Sequence, residues 1–418
     1  MNFKKYNLAL IIFFVFLYKS LLELSYFVFL NPNYDYYGFT LEINIFKFIE
    51  SSVYFIILLI IVPKNEQKPS SIVIYSLFLI MIIPHFSIYW LKNENRVFMF
   101  MVFISFFITI LLVKFIPQIK ISKRLVNKKL LYFLVTVNTI ITISVLLLFN
   151  GLPSLAALNF NNVYSIREKI NYGFPIMQYL VTWQSVILNV FMVIILWVNQ
   201  KKMYSLFFVV IQILTFLITG HKSFLFYILI IPFVLYIFKK KKYIMLFPFG
   251  LIVGLIVGLV AYYLIDFWWI ASLLISRVLF LPAQISFQYY EFFSENKFMQ
   301  LTHSIFEMFS KQPVYEKNPI AIIGETYYDS NWPNTGYLGD SYMNFGIFGM
   351  LVFSILFSIL LKFFDSLAIR ENNNNIVVLF FSVIFTISFM NVGLFTSLLT
   401  GGIIVFLIIA ILYSDEGK

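Results

Sequence analysis

Cationic side chains in short polar segments could bind an anion at a membrane surface. Arg167 precedes an apolar stretch, Arg277 lies between two others, and His221 and Lys222 share a tight turn. Arginine offers a planar fork of donors that matches phosphate oxygens, lysine adds a point charge, and histidine can also transfer a proton near neutral pH. We therefore expect a phosphate or diphosphate site. Snorkelling or pairing with an acid is the alternative for each arginine, and a solvated hairpin tip for the turn.

A general base needs a carboxylate or an imidazole, and one long polar segment, residues 267–340, supplies four candidates. They are His303, Glu325, Asp329 and Asp340. Any of them would suit removal of a proton from a sugar hydroxyl. The sequence does not choose among the four, and each taken singly also suits a structural role.

Amides and aromatic rings accompany these acids, in a mixture that suits sugars. Amides bond sugar hydroxyls, and ring faces stack on sugar C–H groups. The candidates for glycan binding are Tyr327, Tyr328, Asn331, Trp332 and Asn334. An aromatic belt at the membrane interface is the simpler explanation for the tryptophan taken alone.

Several classes of chemistry lack their residues in this chain. Cysteine is absent, which excludes disulfides, thiolate metal sites and thiol nucleophiles. The sequence contains no Walker loop, no GxGxxG after a strand and no HExxH motif. We therefore expect no metal and no cofactor. The net charge of +11 is explained by membrane topology, so no nucleic-acid partner is expected.

The elements that position these residues must be membrane helices. The chain is 61% hydrophobic and 12% charged, whereas soluble domains are about a quarter charged. A spanning helix needs roughly 20 apolar residues. We predict an all-α polytopic protein, one integral membrane domain over residues 1–418 with twelve spans. The spans lie near 6–30, 42–63, 71–91, 97–117, 130–149, 175–198, 203–219, 222–238, 244–266, 341–363, 376–397 and 399–413.

The distribution of lysine and arginine sets the orientation of these spans. One set of connections holds roughly twice as many of these residues as the other set, and the richer set is cytoplasmic by the positive-inside rule. Both termini are then cytoplasmic. Residues 150–174 and the large loop 267–340, between the ninth and tenth spans, face outward. Nucleotides are lacking outside the cell, so the energy for a reaction there must arrive with the substrate, as in a lipid diphosphate.

Four local patterns and the topology together resemble a known family. The patterns are the stretch 167–173, the turn 220–223, the stretch 277–282, and the stretch 339–349 that runs into the tenth span. The chain resembles bacterial O-antigen polymerases of the Wzy type, the oligosaccharide repeat-unit polymerases. The turn in that family tends to carry arginine. This chain has histidine and lysine there, which keeps charge but not the bidentate fork.

The resemblance implies a lipid-dependent glycosyltransferase fold similar to that of O-antigen ligases, working without a metal. It implies polymerisation of undecaprenyl-diphosphate-linked oligosaccharides at the outer face of the bacterial cytoplasmic, or inner, membrane. Membrane lipids and a chain-length regulator protein would be partners. The leaving diphosphate would be stabilised by Arg167, Arg277 and Lys222 together with His221. One of the four candidate bases would assist the acceptor hydroxyl.

Two alternatives remain open at the level of sequence. An O-antigen ligase uses the same donor with a different acceptor, and topology does not separate the two. A polysaccharide flippase or other transporter would need charges inside its spans. Such charges occur here only near the N-terminus, at Lys19, Glu23, Lys47 and Glu50.

Overall fold

The computed structural model describes residues 2–118, 128–159, 163–303, 312–328, 333–368 and 372–413. All regular structure within these ranges is helical and none is strand, which confirms the all-α prediction. The helices are α1 (Leu8–Tyr37), α2 (Ile45–Ile61), α3 (Pro69–Leu91), α4 (Arg96–Phe115), α5 (Lys128–Asn150), α6 (Val163–Lys169), α7 (Pro175–Val198), α8 (Lys202–Thr219), α9 (Lys222–Lys239), α10 (Tyr243–Ile265), α11 (Trp269–Glu295), α12 (Pro319–Tyr327), α13 (Tyr337–Ala368), α14 (Asn372–Asn391), α15 (Leu394–Leu399) and α16 (Ile403–Tyr413).

Among the described residues, 11 helices are long and apolar enough to cross a membrane, which confirms a multi-pass helical membrane protein. The predicted spans all fall on helices, and several differ in length: α1 and α13 extend beyond the first and tenth predicted spans. The second predicted span is a helix of 17 residues, α2. The eleventh ends earlier than predicted, because α14 stops at Asn391 and a turn precedes α15.

The segment 267–340, expected to be a loop, is helical over much of its described part. It contains α11, which has the length and composition of a membrane span, and the shorter α12. Buried Ala271, Ile275 and Leu279 recur every four residues along α11, so one face of a helix is apolar while Arg277 points outward. The polar residues scattered along this segment masked that helical periodicity.

The chain divides into two compact units. The first unit comprises Met1–Gln118, Lys241–Phe363 and Ser382–Thr396. The second comprises Ile119–Lys240, Phe364–Phe381 and Ser397–Lys418. His303, Glu325 and Asp340 therefore belong to the first unit, and the His221–Lys222 turn belongs to the second.

The first unit is built around α3, which is buried along its spanning length. α1 packs on α10, and α2 packs on α3. Within the described part of this unit, three helices contain π-helical segments, Tyr26–Leu30, Phe78–Ile82 and Ser272–Phe280, and the third contacts both of the others. π-Helical turns are rare and occur often at functional sites.

A chain of neutral amides holds the second unit together in its apolar interior. Asn138 donates to Gln184 at 2.6 Å, Gln184 donates to Asn189 at 2.6 Å, and Asn189 donates to Gln212 at 2.8 Å. Gln212 then donates to the carbonyl of Phe224 at 3.0 Å. Because that carbonyl lies in the first turn of α9, the amide chain helps to fix where α9 begins.

The charged residues near the N-terminus form two local arrangements within the first unit. Lys19 forms a buried ion pair with Glu23 one turn further along α1. Lys47 donates to backbone carbonyls in the turn after α3, and Glu50 lies 3.0 Å from Arg96 Nε. Lys19, Glu23 and Glu50 thus lie in ion pairs, and the ammonium of Lys47 is hydrogen-bonded to carbonyls, as a charge partly removed from water requires.

Candidate functional site

A polar cavity of about 300 Å³ lies at the start of α13, in the first unit. Asp340 and His303 both line it. The other polar residues of its wall are Tyr289, Asn318, Asn334, Thr335, Asn344 and Thr396. In a protein that is mostly apolar helix, this cavity concentrates the groups that can hold a hydroxyl-rich ligand, and it is hereafter the Asp340 cavity.

Two elements hold the Asp340 carboxylate in place. Its Oδ2 accepts from the backbone N–H of Leu394 at 3.2 Å, and its Oδ1 accepts from the Asn344 amide at 3.3 Å. The Asn344 oxygen accepts from the backbone N–H of Leu301 at 2.8 Å, which orients the amide. A carboxylate has about four lone-pair sites. These two bonds therefore fix its direction without using all of its capacity to accept.

Glycine at two positions permits this arrangement. Gly346 has φ +61° and ψ −147°, a conformation open in practice only to glycine, and it interrupts α13 just after the Asp340 turn. A Cβ at Gly393 would lie 2.7 Å from Asp340 Oδ1 and closer still to other atoms of that carboxyl group. The stretch 339–349 therefore encodes a kink near the start of α13.

His303 has a defined tautomer at this cavity. Its Nε2 lies 2.7 Å from the carbonyl oxygen of Tyr315. A carbonyl only accepts, so Nε2 carries the proton and donates. In the neutral ring, Nδ1 is then the nitrogen that can accept a proton or a hydroxyl hydrogen bond.

The other two candidate bases are not part of this arrangement. Glu325 is exposed on α12, and both of its oxygens lie 2.7 Å from the ammonium of Lys317. Asp329 lies outside the described residues, as do Asn331 and Trp332. The structure thus groups His303 with Asp340 and leaves Glu325 in a surface ion pair.

The remaining glycan-binding candidates lie in three different environments. Asn334 is exposed and lines the Asp340 cavity. Tyr328 is buried, and its hydroxyl donates to Gln288 at 2.6 Å, so it serves packing. Tyr327 is half-buried and hydrogen-bonded to Glu291 on α11.

Thr335 belongs to the Asp340 cavity but was not singled out from the sequence. Its side chain is 5% exposed, and its hydroxyl has no hydrogen-bond partner among the described residues. Leaving a buried hydroxyl unbonded costs about 1–3 kcal/mol. A polar ligand in the cavity would remove that cost. No motif in the sequence signals this role, because it depends on burial.

In the second unit, the two predicted cationic segments meet. Arg167 Nε donates to the carbonyl oxygen of Gly220 at 3.0 Å. Gly220 ends α8 with φ +64°, and Lys222 begins α9. Arg167 and Lys222 are both half-buried at this place. Together with the N-terminus of α9, whose N–H groups carry partial positive charge, they form a cationic cluster.

His221 differs from the expectation that it adds positive charge. Burial, and secondarily the positive charge of Arg167, lower the pKa of His221 to about 4. Its Nε2 lies 3.3 Å from the hydroxyl of Tyr172. The ring is therefore neutral at pH 7, and the cationic cluster owes its charge there to Arg167 and Lys222.

Arg277 belongs to the first unit, so the three predicted anion-binding cations are divided between the units. It lies within the π-helical segment Ser272–Phe280, with an exposed side chain. It forms no hydrogen bond or ion pair with any residue that the structure describes. The partner that its apolar surroundings suggested is therefore not found among those residues.

No group of three or more His, Cys, Asp or Glu residues in the described ranges is placed to hold a metal ion. Comparison with known protein families, curated proteins and solved structures finds no match to this chain.

Proposed function

We propose that the chain is a glycosyltransferase that polymerises polyprenyl-diphosphate-linked oligosaccharide repeat units at the outer face of the bacterial cytoplasmic membrane. The observation that carries the proposal is the Asp340 cavity. Its volume of about 300 Å³ lies at the lower end of the range for small-molecule sites. Its wall offers a carboxylate, an imidazole and several amides, the groups that bind sugar hydroxyls. The resemblance to O-antigen polymerases supplies the reaction class.

In the proposed reaction, a hydroxyl of the acceptor sugar attacks the anomeric carbon of the donor glycan. A new C–O glycosidic bond forms while the bond from that carbon to the diphosphate oxygen breaks. The bonding electrons leave with the diphosphate, and the hydroxyl proton passes to the Asp340 carboxylate. His303 accepts through Nδ1 and positions the acceptor. Two protein groups thereby define which hydroxyl reacts.

Arg167 and Lys222 are proposed to bind the diphosphate, and Arg277 to bind diphosphate or lipid phosphate. The bond from Arg167 Nε to Gly220 fixes the direction of the guanidinium. Positive groups fixed before the reaction stabilise developing negative charge at no cost of reorganisation. Losing one such group can slow a reaction about 100-fold.

The proposal is tested with Asp340→Asn, which keeps the size of the side chain and removes its ability to take a proton. We expect polymerisation to fall about 100-fold, within the range for general-base loss, so that cells keep single repeat units and lose the long-chain ladder. Immunoblots of membranes check the protein level, and gels of extracted polysaccharide give the chain length. Glu325→Gln, which alters an exposed acid outside the cavity, is the matched control and should keep the ladder.

Two outcomes would contradict this function. A normal ladder from Asp340→Asn would remove the residue from the reaction. Deletion of the gene with accumulation of polymer on its lipid would instead identify a ligase, because a ligase acts after polymerisation is complete.

A further inference from the structure

A second and larger cavity, of about 600 Å³, lies in the first unit and is hereafter the charged cavity. It is formed by the segment after α1, the turn between α3 and α4, and the C-terminal half of α11. Four carboxylates line it, those of Glu42, Glu94, Glu291 and Glu295. Its volume is well within the range of ligand sites.

The cations of the charged cavity already have partners. Lys92 Nζ lies 2.9 Å from Glu94, and Arg96 Nε lies 3.0 Å from Glu50. Lys47 Nζ donates to the carbonyl of Asn93 at 2.8 Å. Each of these three cations therefore already interacts with a group of the protein.

The carboxylates are compensated less fully. Glu42, Glu291 and Glu295 form no ion pair with any residue in the described ranges. Burial and then the charges of Glu291, Glu295 and Glu94 raise the pKa of Tyr327. Three carboxylates thus act on one hydroxyl, which indicates that the potential at this end of the charged cavity is negative.

The wall of the charged cavity also carries aromatic rings. Phe287 and Tyr290 on α11 line it, and Tyr290 is stacked on Phe98 at 5.0 Å between ring centroids. Tyr289, the neighbouring residue on α11, lines the Asp340 cavity instead. The two cavities therefore flank α11, one on each side.

We propose that the charged cavity is a second glycan site, which binds sugar residues that are neutral or carry amino groups. Carboxylates accept hydrogen bonds from sugar hydroxyls and more strongly from ammonium groups, and the half-buried ring of Tyr290 offers an apolar contact. Uronic acids would be repelled. This proposal rests on the proposed function, since a polymerase must hold the grown chain as well as the reacting sugar. Tyr327, a glycan-binding candidate from the sequence, is hydrogen-bonded to Glu291 in the wall of this cavity.

Binding to the purified full chain in lipid nanodiscs tests the inference by isothermal titration calorimetry. The probes are a glucosamine trisaccharide at mildly acidic pH, its N-acetylated form, and trigalacturonate. We expect the glucosamine trimer to bind about ten-fold more tightly than trigalacturonate, because one charged hydrogen bond accounts for such a factor. The double variant Glu291→Gln with Glu295→Gln should remove that preference.

A double variant with Glu316→Gln and Glu325→Gln is the matched control, because it removes the same charge outside the cavity. It should keep the preference for the glucosamine trimer. Equal binding of the amino and acidic trimers, or an unchanged preference in the Glu291 and Glu295 variant, would overturn the inference. Sugar binding that persists while Asp340→Asn leaves polymerisation intact would instead refute the proposed function alone.

Discussion

At the scale of single residues, Thr335 is a position where an effect on fold stability can be distinguished from an effect on ligand binding. Most buried polar groups in proteins have hydrogen-bond partners, and an unbonded hydroxyl weakens the fold. Thr335 is buried beside the Asp340 cavity and lacks such a partner among the described residues. Its hydroxyl is therefore better explained by a ligand than by packing.

Thr335→Val removes this hydroxyl and keeps the shape of the side chain. We expect the free energy of unfolding to stay the same or to rise, by up to about 1–3 kcal/mol, because an unbonded buried group is lost. Polymer yield should fall, since the acceptor loses a hydrogen bond. Thermal unfolding in detergent and polysaccharide gels measure the two effects. Thr335→Ser should restore the yield, and a valine variant that makes normal polymer would exclude Thr335 from binding.

At the scale of elements, the turn between α14 and α15 determines the position of the Asp340 carboxylate. Leu394, the first residue of α15, donates its backbone N–H to that carboxylate at 3.2 Å. Gly393 allows the approach, because it has no side chain to occupy the space. The early end of α14 thus brings the backbone N–H of Leu394 to the Asp340 carboxylate.

Gly393→Ala should displace the Asp340 carboxylate without removing any catalytic group. A Cβ there would lie 2.7 Å from Asp340 Oδ1, closer than real Cβ contacts allow. We expect polymer yield to fall at least about 10-fold, because a small displacement of a reacting group is costly. Gly250→Ala in α10 is the control, since its Cβ would meet nothing within 4 Å. Yield per unit of membrane protein is the measurement, and equal yields from both variants would contradict the role of the turn.

At the scale of the whole molecule, α11 raises the question of whether it crosses the membrane. Its Ser272 accepts from the hydroxyl of Tyr34 at 2.6 Å, and its Gln284 donates to the carbonyl of Tyr37. Ser272 and Gln284 lie twelve residues apart on α11, yet they contact residues only three positions apart at the end of α1. α11 therefore crosses the end of α1 instead of running alongside it. This geometry favours a helix that remains on one side of the membrane.

Single cysteines can test this topology cleanly, because the chain has no cysteine of its own. We expect Phe267→Cys and Asn296→Cys, at the two ends of α11, to react with an impermeant maleimide added to intact cells. Lys242→Cys, before α10, should react only after the membrane is opened. Opposite accessibility of the first two positions would show that α11 spans the membrane, and the assignment of residues 267–340 to the outside would fail.

The helical class, most of the span positions and the location of the polar segments follow from local properties of the sequence. The length of an apolar stretch can be read from a short window of sequence. The same is true of a polar residue such as Arg167, Asp340 or Lys222 that lies between two such stretches. The sequence did not show that α11 is a helix. Polar and apolar residues are mixed along this segment, so its apolar face is recognised only once the buried residues are known.

Which candidate residues lie together became clear only from the packing of the helices. It placed His303 and Asp340 in one cavity, paired Glu325 with Lys317, and lowered the pKa of His221. These outcomes depend on burial and on contacts between residues far apart in the chain. Such quantities arise only when the helices pack, so no local pattern of residues encodes them.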